Sequence, residues 1–481
     1  MNSLRINFLL FTFHVSVSTI FGDTPNILFI VSEDNGPEMR CYGTPIDTPH
    51  LDRLAQQGTL FRNAYVPQAG CSQSRAAFLT GLYPHQNGQI GLATWKYSMY
   101  SAKFDNVVKT LKQVGYRTGL LGKLHINPKD AFPFDFKAVF KSNFSRSNMV
   151  EYTRQAKRFI GASERPFYLQ VNYPDAHRPF LNAVDNLPEK PLTGKDVVSL
   201  PYMGIDHPEL RQQTADYYNC MIRLDTHIGS LLKTLKNSGK TDNTVVVYIG
   251  DHGADLLRGK RTSYEGGVRI PMIIRWPGAK NGQDREELVS TLDLYPTFCE
   301  IANMPVPKAL AGRSLRSILH GGFPEWRKYL FTEYHVHSNH NPWPQRSVRD
   351  KRFKLIYNPL AGEVNPGYAF TFGKKFFKTP EAELLASTSE TVRAAYRLMK
   401  RPPLYELYDL QEDPYEFNNL ADEPSLAKTQ GRLIAELKRW QKESGDAMKQ
   451  RSVARQLFRM IQSAGTEKRD ALDYKPFMQL P

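Results

Sequence analysis

The chain has 481 residues, of which 41% are hydrophobic, and this is enough for a large core and more than one domain. Its four cysteines are too few to build a disulfide scaffold of this size, which excludes the small disulfide-rich classes of secreted protein. The formal net charge of +15 favours a polyanionic partner, and sulfated or uronate-rich polysaccharide fits better than nucleic acid, since the chain has no zinc-finger, helix-turn-helix or RNP pattern.

The N-terminus has the layout of a secretory signal peptide. A single Arg5 is followed by an apolar stretch from Phe8 to about Phe21, and then by small or polar residues. The stretch is too short and too early for a membrane anchor, and no later segment is long enough to span a bilayer. We therefore expect residues 1–22 to be removed and the mature protein to be exported to a periplasmic, extracellular or lysosome-like compartment, without stable membrane insertion.

From about residue 26, short apolar runs alternate with amphipathic segments. The pattern predicts a helix from Thr48 to Gly58 and a long helix in RQQTADYYNCMIRLDTHIGSLLKTLKNSG. It predicts strands in NILFIVSED, GYRTGLLGK, PFYLQVNY, NTVVVYIG and VRIPMIIRW. This alternation indicates an α/β domain over residues 23–343, in which helices sandwich a mostly parallel sheet.

After about Trp343 the pattern changes. RSVRDKRFKLIYN and PLYELYDLQEDPYE are typical of antiparallel strands, and SLAKTQGRLIAELKRWQKESG of one amphipathic helix. We predict a smaller α+β domain over residues 344–450, followed by a helical or flexible tail over residues 451–481. Nothing in the sequence defines an oligomeric state.

Ionisable side chains collect just beyond the predicted strands, where ligands bind in open α/β sheets. They are Glu33 and Asp34, Lys123 and His125, Asp175 and His177, Asp251 and His252, and, in the next loop, Lys260 and Arg261. Taken singly, each is more often a solvated charge or an ordinary loop residue. Because five loops deliver them to one edge of one sheet, we expect them to form a single site.

The residue types in this set point to chemistry on an oxyanion. Glu33, Asp34 and Asp251 supply oxygen ligands suited to calcium or magnesium, and lysines and histidines around such a metal suit a tetrahedral anion. Cys71 opens a predicted helix, where backbone N–H groups can face an anion. A lone Cys71 would more often be a small buried hydrophobe. A thiol is a poor partner for calcium, which indicates that this one does not remain a thiol.

The motifs resemble those of the formylglycine-dependent, type I sulfatase family of the alkaline-phosphatase superfamily. The family's C-x-P-S-R or C-x-A-S-R element, followed by LTG, is matched by CSQSR at Cys71 to Arg75 and by AAFLTGLYPHQNG. GKLH, DAHRP, GDHG, GKRTSYEGGVRIPMIIRWPG and ELYDLQEDPYEFNNLA follow in the family's order, so the likeness runs from about Asn26 to Gln441. HQNGQIGL and QRSVRDKRFKLIYN are most similar to heparan N-sulfatases and their bacterial relatives.

The resemblance implies an alkaline-phosphatase-like fold and a set of residue roles. A formylglycine-generating enzyme would convert Cys71 to formylglycine, and calcium, or magnesium, would be the metal. Catalytic roles would fall to Cys71, Arg75, Lys123, His125, His177 and Lys260. Metal ligation would fall to Glu33, Asp34, Cys71, Asp251 and His252. The chain departs from the family pattern at Gln73, in place of Pro or Ala, and at Glu33 and His252, where many sulfatases have Asp and Asn.

The segment EYHVHSNHNPWPQR has the His, Asn and aromatic content of a sugar-contacting loop, and we expect His335, His337 and Arg346 to bind substrate. The leading hypothesis is a sulfatase that acts on N-sulfoglucosamine in heparan- or heparin-type glycosaminoglycan chains. Three alternatives stay open: an O-sulfatase acting on galactose or uronate sulfates, a phosphodiesterase or phosphonate hydrolase of the same superfamily, and an inactive glycan-binding relative.

Overall fold

The computed structural model describes residues 24–140, 142–465 and 471–478, so the expected signal peptide lies outside the described residues. The strands are β1 (Asn26–Ser32), β2 (Thr59–Tyr65), β3 (Arg117–Gly122), β4 (Phe136–Ala138), β5 (Phe167–Tyr173), β6 (Thr244–Gly250), β7 (Arg269–Arg275), β8 (Gln283–Arg285), β9 (Val289–Ser290), β10 (Leu330–Tyr334), β11 (Gln345–Arg349), β12 (Phe353–Tyr357) and β13 (Tyr405–Asp409).

The α-helices among the described residues are α1 (Pro49–Gln56), α2 (Cys71–Thr80), α3 (Pro84–Asn87), α4 (Val107–Gln113), α5 (Val150–Ile160), α6 (Pro208–Asn237), α7 (Glu265–Val268), α8 (Leu294–Ile301), α9 (Arg316–Leu319), α10 (Pro366–Thr371), α11 (Glu381–Ala386), α12 (Glu390–Lys400), α13 (Ala427–Glu443), α14 (Arg451–Ser463) and α15 (Lys475–Met478). None of the helices described is long and apolar enough to cross a bilayer.

Nine strands form the main sheet, in the order β4-β3-β5-β1-β6-β7-β2-β8, with β9 beside β2. β1 pairs in parallel with both β5 and β6, while β7 runs antiparallel to β6 and β2. Alternate residues of β1 enter opposite cores: Leu28 and Ile30 face one cluster, and Ile27 and Phe29 the other. Helical layers therefore cover both faces, which confirms the predicted mostly parallel sheet between helices.

A second, antiparallel sheet has the order β10-β11-β12-β13, and α13 packs on it through Leu433, Leu437 and Trp440. This confirms the smaller antiparallel sheet with its helix. The sheet begins at Leu330, ahead of the boundary expected after residue 343, and the division into domains stays a prediction. Three helices, α10 to α12, are inserted between β12 and β13, where the sequence pattern gave no element.

Candidate active site

The carboxyl ends of four strands in the main sheet meet at one edge and carry the ionisable residues expected there. Glu33 and Asp34 follow β1, Lys123 follows β3, His177 lies just past β5, and Asp251 and His252 follow β6. Because β3, β5, β1 and β6 are neighbours running in parallel, their ends lie side by side. The structure therefore brings these side chains into one buried cluster.

Cys71 is the first residue of α2 and lies at the centre of this cluster. Its Sγ atom is 3.3 Å from Nε2 of His252, 3.4 Å from Nζ of Lys260 and 3.7 Å from Oδ1 of Asp34. The preceding Gly70 has extended backbone and no side chain to cap α2, so the first N–H groups of the helix are free of a side-chain cap. Position 71 thus combines a helix N-terminus with a lysine, which favours negative charge there.

Gln73, which replaces the usual Pro or Ala of the motif, has a structural role that explains why the fold accepts it. The residue is fully buried, and its amide donates to the carbonyl oxygens of Val336 at 2.6 Å and Ile90 at 3.3 Å. These two bonds tie the first turn of α2 to segments from elsewhere in the chain. The glutamine thereby helps to hold Cys71 in place.

Two aspartates and a histidine lie beside Cys71. Oδ1 of Asp251 accepts the backbone N–H of Asp34 at 2.9 Å, and Nε2 of His252 lies 3.2 Å from Oδ1 of Asp34. Burial alone would raise the pKa of Asp34, but the charges of His177, Lys260 and His252 outweigh it and hold that pKa well below its usual range. Asp34 is therefore an ionised carboxylate in a dry, positively charged environment.

The same residues fit a divalent cation. One donor atom from each of Asp34, Cys71, Asp251 and His252 lies within 4.8 Å of the others. Nδ1 of His252 is bonded to the carbonyl of Gly253 at 2.9 Å, which leaves Nε2 facing the carboxylates. Oε1 of Glu33 is buried without a hydrogen-bond partner among the described residues, so it is an acceptor available to a metal. Most of these donors are carboxylate oxygens, as calcium and magnesium require; the exceptions are the nitrogen of His252 and the sulfur of Cys71.

Two lysines compensate the acids. Nζ of Lys123 lies 2.5 Å from Oε2 of Glu33, and Nζ of Lys260 lies 2.7 Å from Oδ2 of Asp34; both lysines are almost fully buried. Burial opposes the charge of Lys260, but Asp34 and Cys71 raise its pKa, so it stays an ammonium. Both cations are thus held beside Cys71, where they can neutralise an oxyanion.

Arg75 is fully buried and orders the acids. It donates to Oδ2 of Asp251 at 3.1 Å, to the carbonyl of Lys123 at 3.0 Å and to Oδ1 of Asn172 at 2.7 Å. Asn172 lies on β5 and was not expected as a site residue. A signal for it exists in FYLQVNY, where the polar Gln170 and Asn172 occupy alternate positions of a wholly buried strand. Asn172 positions Arg75, which in turn fixes Asp251.

The loop that carries His177 is fixed by an ion-pair cluster that the sequence pattern did not indicate. Asp175 is buried between Arg146 at 2.7 Å and Arg223 at 2.8 Å, and Arg146 also donates to the carbonyl of His177. The ring of Phe144 stacks on the His177 imidazole with centroids 4.3 Å apart. Arg146 and Phe144 therefore restrict both the backbone and the ring of His177.

His125 makes no hydrogen bond to Cys71 or to the acids of the cluster among the described residues. Among the described residues, its ring has one long side-chain contact, 3.4 Å from Nε2 to Oγ1 of Thr94, and Nδ1 is buried without a hydrogen-bond partner. Burial and the nearby charges of Lys123 and Arg75 lower its pKa well below the usual value, so it is a neutral imidazole. A neutral His125 is able to accept a proton.

The structure does not bring His335 and Arg346 to the site. Both are fully buried, and Arg346 donates to the carboxylate of Asp446 at 2.6 and 2.8 Å and to Nε2 of His335 at 2.7 Å. With no exposed surface, they support the fold, and the geometry does not support their expected contact with substrate. His337 is different: it is half-buried, and Nε2 lacks a hydrogen-bond partner among the described residues.

His335 provides a prediction on acid stability. Burial, and then the charge of Arg346, lower its pKa to about 3, so the folded protein holds it neutral. In the unfolded state His335 has the ordinary histidine pKa of about 6.5, so between about pH 6.5 and about pH 3 the unfolded state binds more protons than the folded state. The free energy of unfolding therefore falls as the pH falls through this window, by up to about 1.4 kcal/mol per pH unit. We expect His335→Gln to reduce the loss in free energy of unfolding between pH 7 and pH 5 by about 2 kcal/mol. Urea titrations at both pH values measure it.

The control for this experiment is His320→Gln, since His320 is exposed at the end of α9. That variant should lose the same stability on acidification as the unsubstituted protein. Equal acid sensitivity of His335→Gln and the control would show that His335 is not the group responsible.

Comparisons with known proteins identify the family of the chain. A sulfatase family model matches residues 25–304, and a model of the N-sulphoglucosamine sulphohydrolase C-terminal region matches residues 250–364. The chain is 32% identical to human N-sulphoglucosamine sulphohydrolase, over 88% of this chain and 90% of that protein. It is 29% identical to an ulvan-active sulfatase of Formosa agariphila, over 91% of this chain and 84% of the relative.

Solved structures show the same fold at lower identity. One, in complex with its substrate D-glucosamine-2-N,6-O-disulfate, has a TM-score of 0.64 and 22% identity, over 88% of this chain and 98% of that chain. A phosphonate monoester hydrolase of Agrobacterium radiobacter has a TM-score of 0.64 and 20% identity, over 87% of this chain and 96% of that chain.

The fold and the match over most of its length define the chain as a member of the sulfatase family, a hydrolase of sulfate esters or sulfamates. The resemblance inferred from the motifs is thereby confirmed. Within that family its relatives include the human N-sulphoglucosamine sulphohydrolase and bacterial sulfatases.

Proposed function

We propose that this enzyme hydrolyses the sulfamate of N-sulfoglucosamine in heparan-type glycan chains. The observation that carries the reaction class is the position of Cys71, at a helix N-terminus within 3.4 Å of Lys260 and 3.7 Å of Asp34. The substrate rests on the likeness to human N-sulphoglucosamine sulphohydrolase, which extends over nearly the whole chain.

Residues around Cys71 supply the charges that this reaction requires. When bound, a calcium ion held by Asp34, Asp251, Glu33 and His252 would add positive charge for the sulfuryl oxygens, and formylglycine at position 71 would supply the nucleophile. Lys123 and Lys260 neutralise the same oxygens, in a buried site where each such contact contributes a factor of about 100 to 1,000 in rate.

Proton transfer falls to two histidines. Nε2 of His177 lies 4.0 Å from Oδ2 of Asp34, and the side chain is partly exposed, so it contacts the cluster and is accessible from solvent. Burial lowers the pKa of His177, and the carboxylate of Asp34 opposes that shift by stabilising the protonated ring. We assign this protonated ring the protonation of the departing nitrogen or oxygen. The neutral His125 is assigned the removal of a proton when sulfate leaves.

An O-sulfatase activity is the second candidate, and the likeness to an ulvan-active sulfatase favours it. The catalytic residues would be the same, because the leaving group changes while the sulfuryl group does not. A phosphonate hydrolase is supported only by a shared fold, since the structural neighbour is 20% identical.

Two measurements test the proposal together. Mass spectrometry of the peptide spanning Cys71, from protein made with and without a formylglycine-generating enzyme, should show loss of the thiol in favour of an aldehyde or its hydrate. The modified protein should then release sulfate from N-sulfoglucosamine faster than from O-sulfated galactose or a phosphate diester. Preference for an O-sulfate would support the second candidate, and an unmodified, silent Cys71 would support a glycan-binding relative.

Metal removal provides a further prediction. Asp34 and Asp251 are buried carboxylates that a divalent cation would hold together, so chelation should abolish turnover and lower the melting temperature. Calcium at about 100 times its Kd should restore about 2.7 kcal/mol of stability. Thermal melts with chelator, calcium or magnesium measure the effect.

The matched variants are Asp34→Asn, which should lose the response to calcium, and Asp242→Asn, at an exposed aspartate, which should keep it. A melting temperature that ignores both chelator and calcium would contradict the metal assignment.

A further inference from the structure

Two arginines lie immediately outside the catalytic cluster. Arg178 follows His177 in the chain and Arg261 follows Lys260; Arg178 is half-buried, and the side chain of Arg261 is only 6% exposed. They converge on Asp255: Nε of Arg178 donates to its carbonyl at 2.8 Å, and Arg261 donates to its carboxylate. The pair therefore lies next to two residues of the site, His177 and Lys260, and is joined through Asp255.

The positive charge of this pair is only partly compensated. Asp255 forms an ion pair with Arg261, whereas Arg178 has neutral partners, the Asp255 carbonyl and Oε1 of Gln213 at 2.7 Å. Among the described residues, no carboxylate oxygen is recorded within 4.0 Å of the Arg178 guanidinium. Nε of Arg261 is buried and has no hydrogen-bond partner in the same part of the chain.

A guanidinium that is only partly compensated at this depth is costly for a protein that binds nothing there. Burial lowers the pKa of Arg178, and the negative charge of Asp255 offsets this shift only in part. A guanidinium presents several N–H donors in one plane, and this matches the oxygens of a carboxylate or a sulfate. The charge balance of the pair thus favours an anionic ligand.

Aromatic rings beside the arginines suit a sugar as the carrier of that anion. The guanidinium carbons of Arg178 and Arg261 lie 5.3 and 5.4 Å from the centroid of Phe376. Phe370, in α10, lies 5.4 Å from Phe376 and stacks on His340, also at 5.4 Å. Phe370, Phe376 and His340 are half-buried, so part of each ring surface remains open to a ligand. They belong to the inserted segment with α10 and to the loop before β11.

We propose that Arg178 and Arg261 form a second anion subsite, which binds a sulfate or carboxylate that the substrate carries in addition to the sulfuryl group being cleaved. The inference rests on the proposed function and narrows it to doubly anionic sugars. The second group would come from the same sugar, as another sulfate, or from a neighbouring uronate, as a carboxylate.

Arg178→Gln is the decisive variant, because it removes the charge without leaving an acid unpaired. Three compounds serve as probes: glucosamine N-sulfate, D-glucosamine-2-N,6-O-disulfate, and a disaccharide of N-sulfoglucosamine and uronate. For each, Kd is measured by calorimetry on calcium-loaded protein with unmodified Cys71, and kcat/KM on the modified enzyme. We expect the affinity gained from the second anion to fall about 10- to 100-fold in Arg178→Gln, the range for charge-assisted hydrogen bonds.

Controls separate the subsite from a purely structural role. Arg211→Gln removes one charge at a partly exposed position of α6, two residues from Gln213, where Arg211 pairs with Asp206 at the surface; it should leave all ratios between probes unchanged. Arg178→Lys keeps the charge and should recover part of the preference, and it stands in if Arg178→Gln does not fold. If Arg178→Gln loses affinity selectively for the disulfate, the subsite binds a sulfate. If it loses affinity selectively for the disaccharide, the subsite binds a carboxylate.

Equal weakening for all three probes, or no weakening, would overturn the proposal. The failure of the proposed function looks different: the modified enzyme would then turn over none of the sugars, while the calorimetric ratios would still report on the subsite.

Discussion

Replacement of Cys71 by alanine will abolish sulfatase turnover while leaving the fold intact. Removal of the nucleophile alone lowers kcat of a covalent hydrolase by about a million-fold, and we expect a loss of this order in Cys71→Ala. The reason is local: the lysines and the helix N-terminus converge on this one side chain, and Lys123, Lys260 and Arg75 would then surround a methyl group. Alanine is accepted at the start of a helix, so the melting temperature should change little.

The measurement is sulfate release from a sulfated sugar, with protein produced alongside a formylglycine-generating enzyme. Cys299→Ala is the matched control, because Cys299 is also a buried cysteine in a helix, α8, and lies outside the cluster. That control should retain the full kcat, even with some loss of stability. A Cys71→Ala enzyme that keeps more than about a hundredth of the activity would refute the role of Cys71.

The main sheet was predictable because its signal is local. β1, β5 and β6 are runs of seven wholly buried residues, and the periodicity that marks such runs needs no knowledge of their neighbours. Pairing is different: β7 reads as the same kind of strand but lies antiparallel to β6, and β10 joins the second sheet ahead of the expected boundary. Strand direction and sheet membership depend on connections that a local pattern does not contain.

The site was predictable where residues follow a strand directly. Residues such as Lys123 and Asp251 come directly after strands of the parallel part of the main sheet. Their position in the chain therefore places them at the edge where the carboxyl ends of these strands meet. Asn172 and Arg146 were missed because their importance lies in what they hold: each bonds a site residue or its backbone through the interior.

For His335, in contrast, the sequence pattern predicts a role that the geometry does not support. Its place in a loop rich in His, Asn and aromatic residues predicts contact with substrate, but the side chain is fully buried and bonded to Arg346. Ion-pair networks that stabilise a fold use the same residue types as binding sites, and the sequence does not separate the two.

Replacement of His177 by alanine will slow turnover of a sulfated sugar by about 100- to 10,000-fold, the contribution typical of a positioned general acid. Nδ1 of His177 lies 2.5 Å from the carbonyl of Arg178 and donates to it, which leaves Nε2 to face Asp34 and the reacting group. Only a fifth of its side chain is exposed, at 21%, and Phe144 covers one face of the ring. The proton is therefore delivered from one direction, which suits a departing atom held against the cluster.

The leaving group decides whether this role is correct. A sugar nitrogen or hydroxyl departs poorly without a proton, whereas 4-nitrophenolate departs readily by itself, so His177→Ala should impair the sulfated sugar far more than 4-nitrophenyl sulfate. His227→Ala, at a largely buried histidine of α6 that stacks on Tyr173, is the control and should change both rates equally. If His177→Ala slowed both substrates by the same factor, His177 would serve to bind the sulfuryl group, and the proton would have to come from elsewhere. A selective loss would instead assign His177 to the leaving-group side of the sulfuryl group.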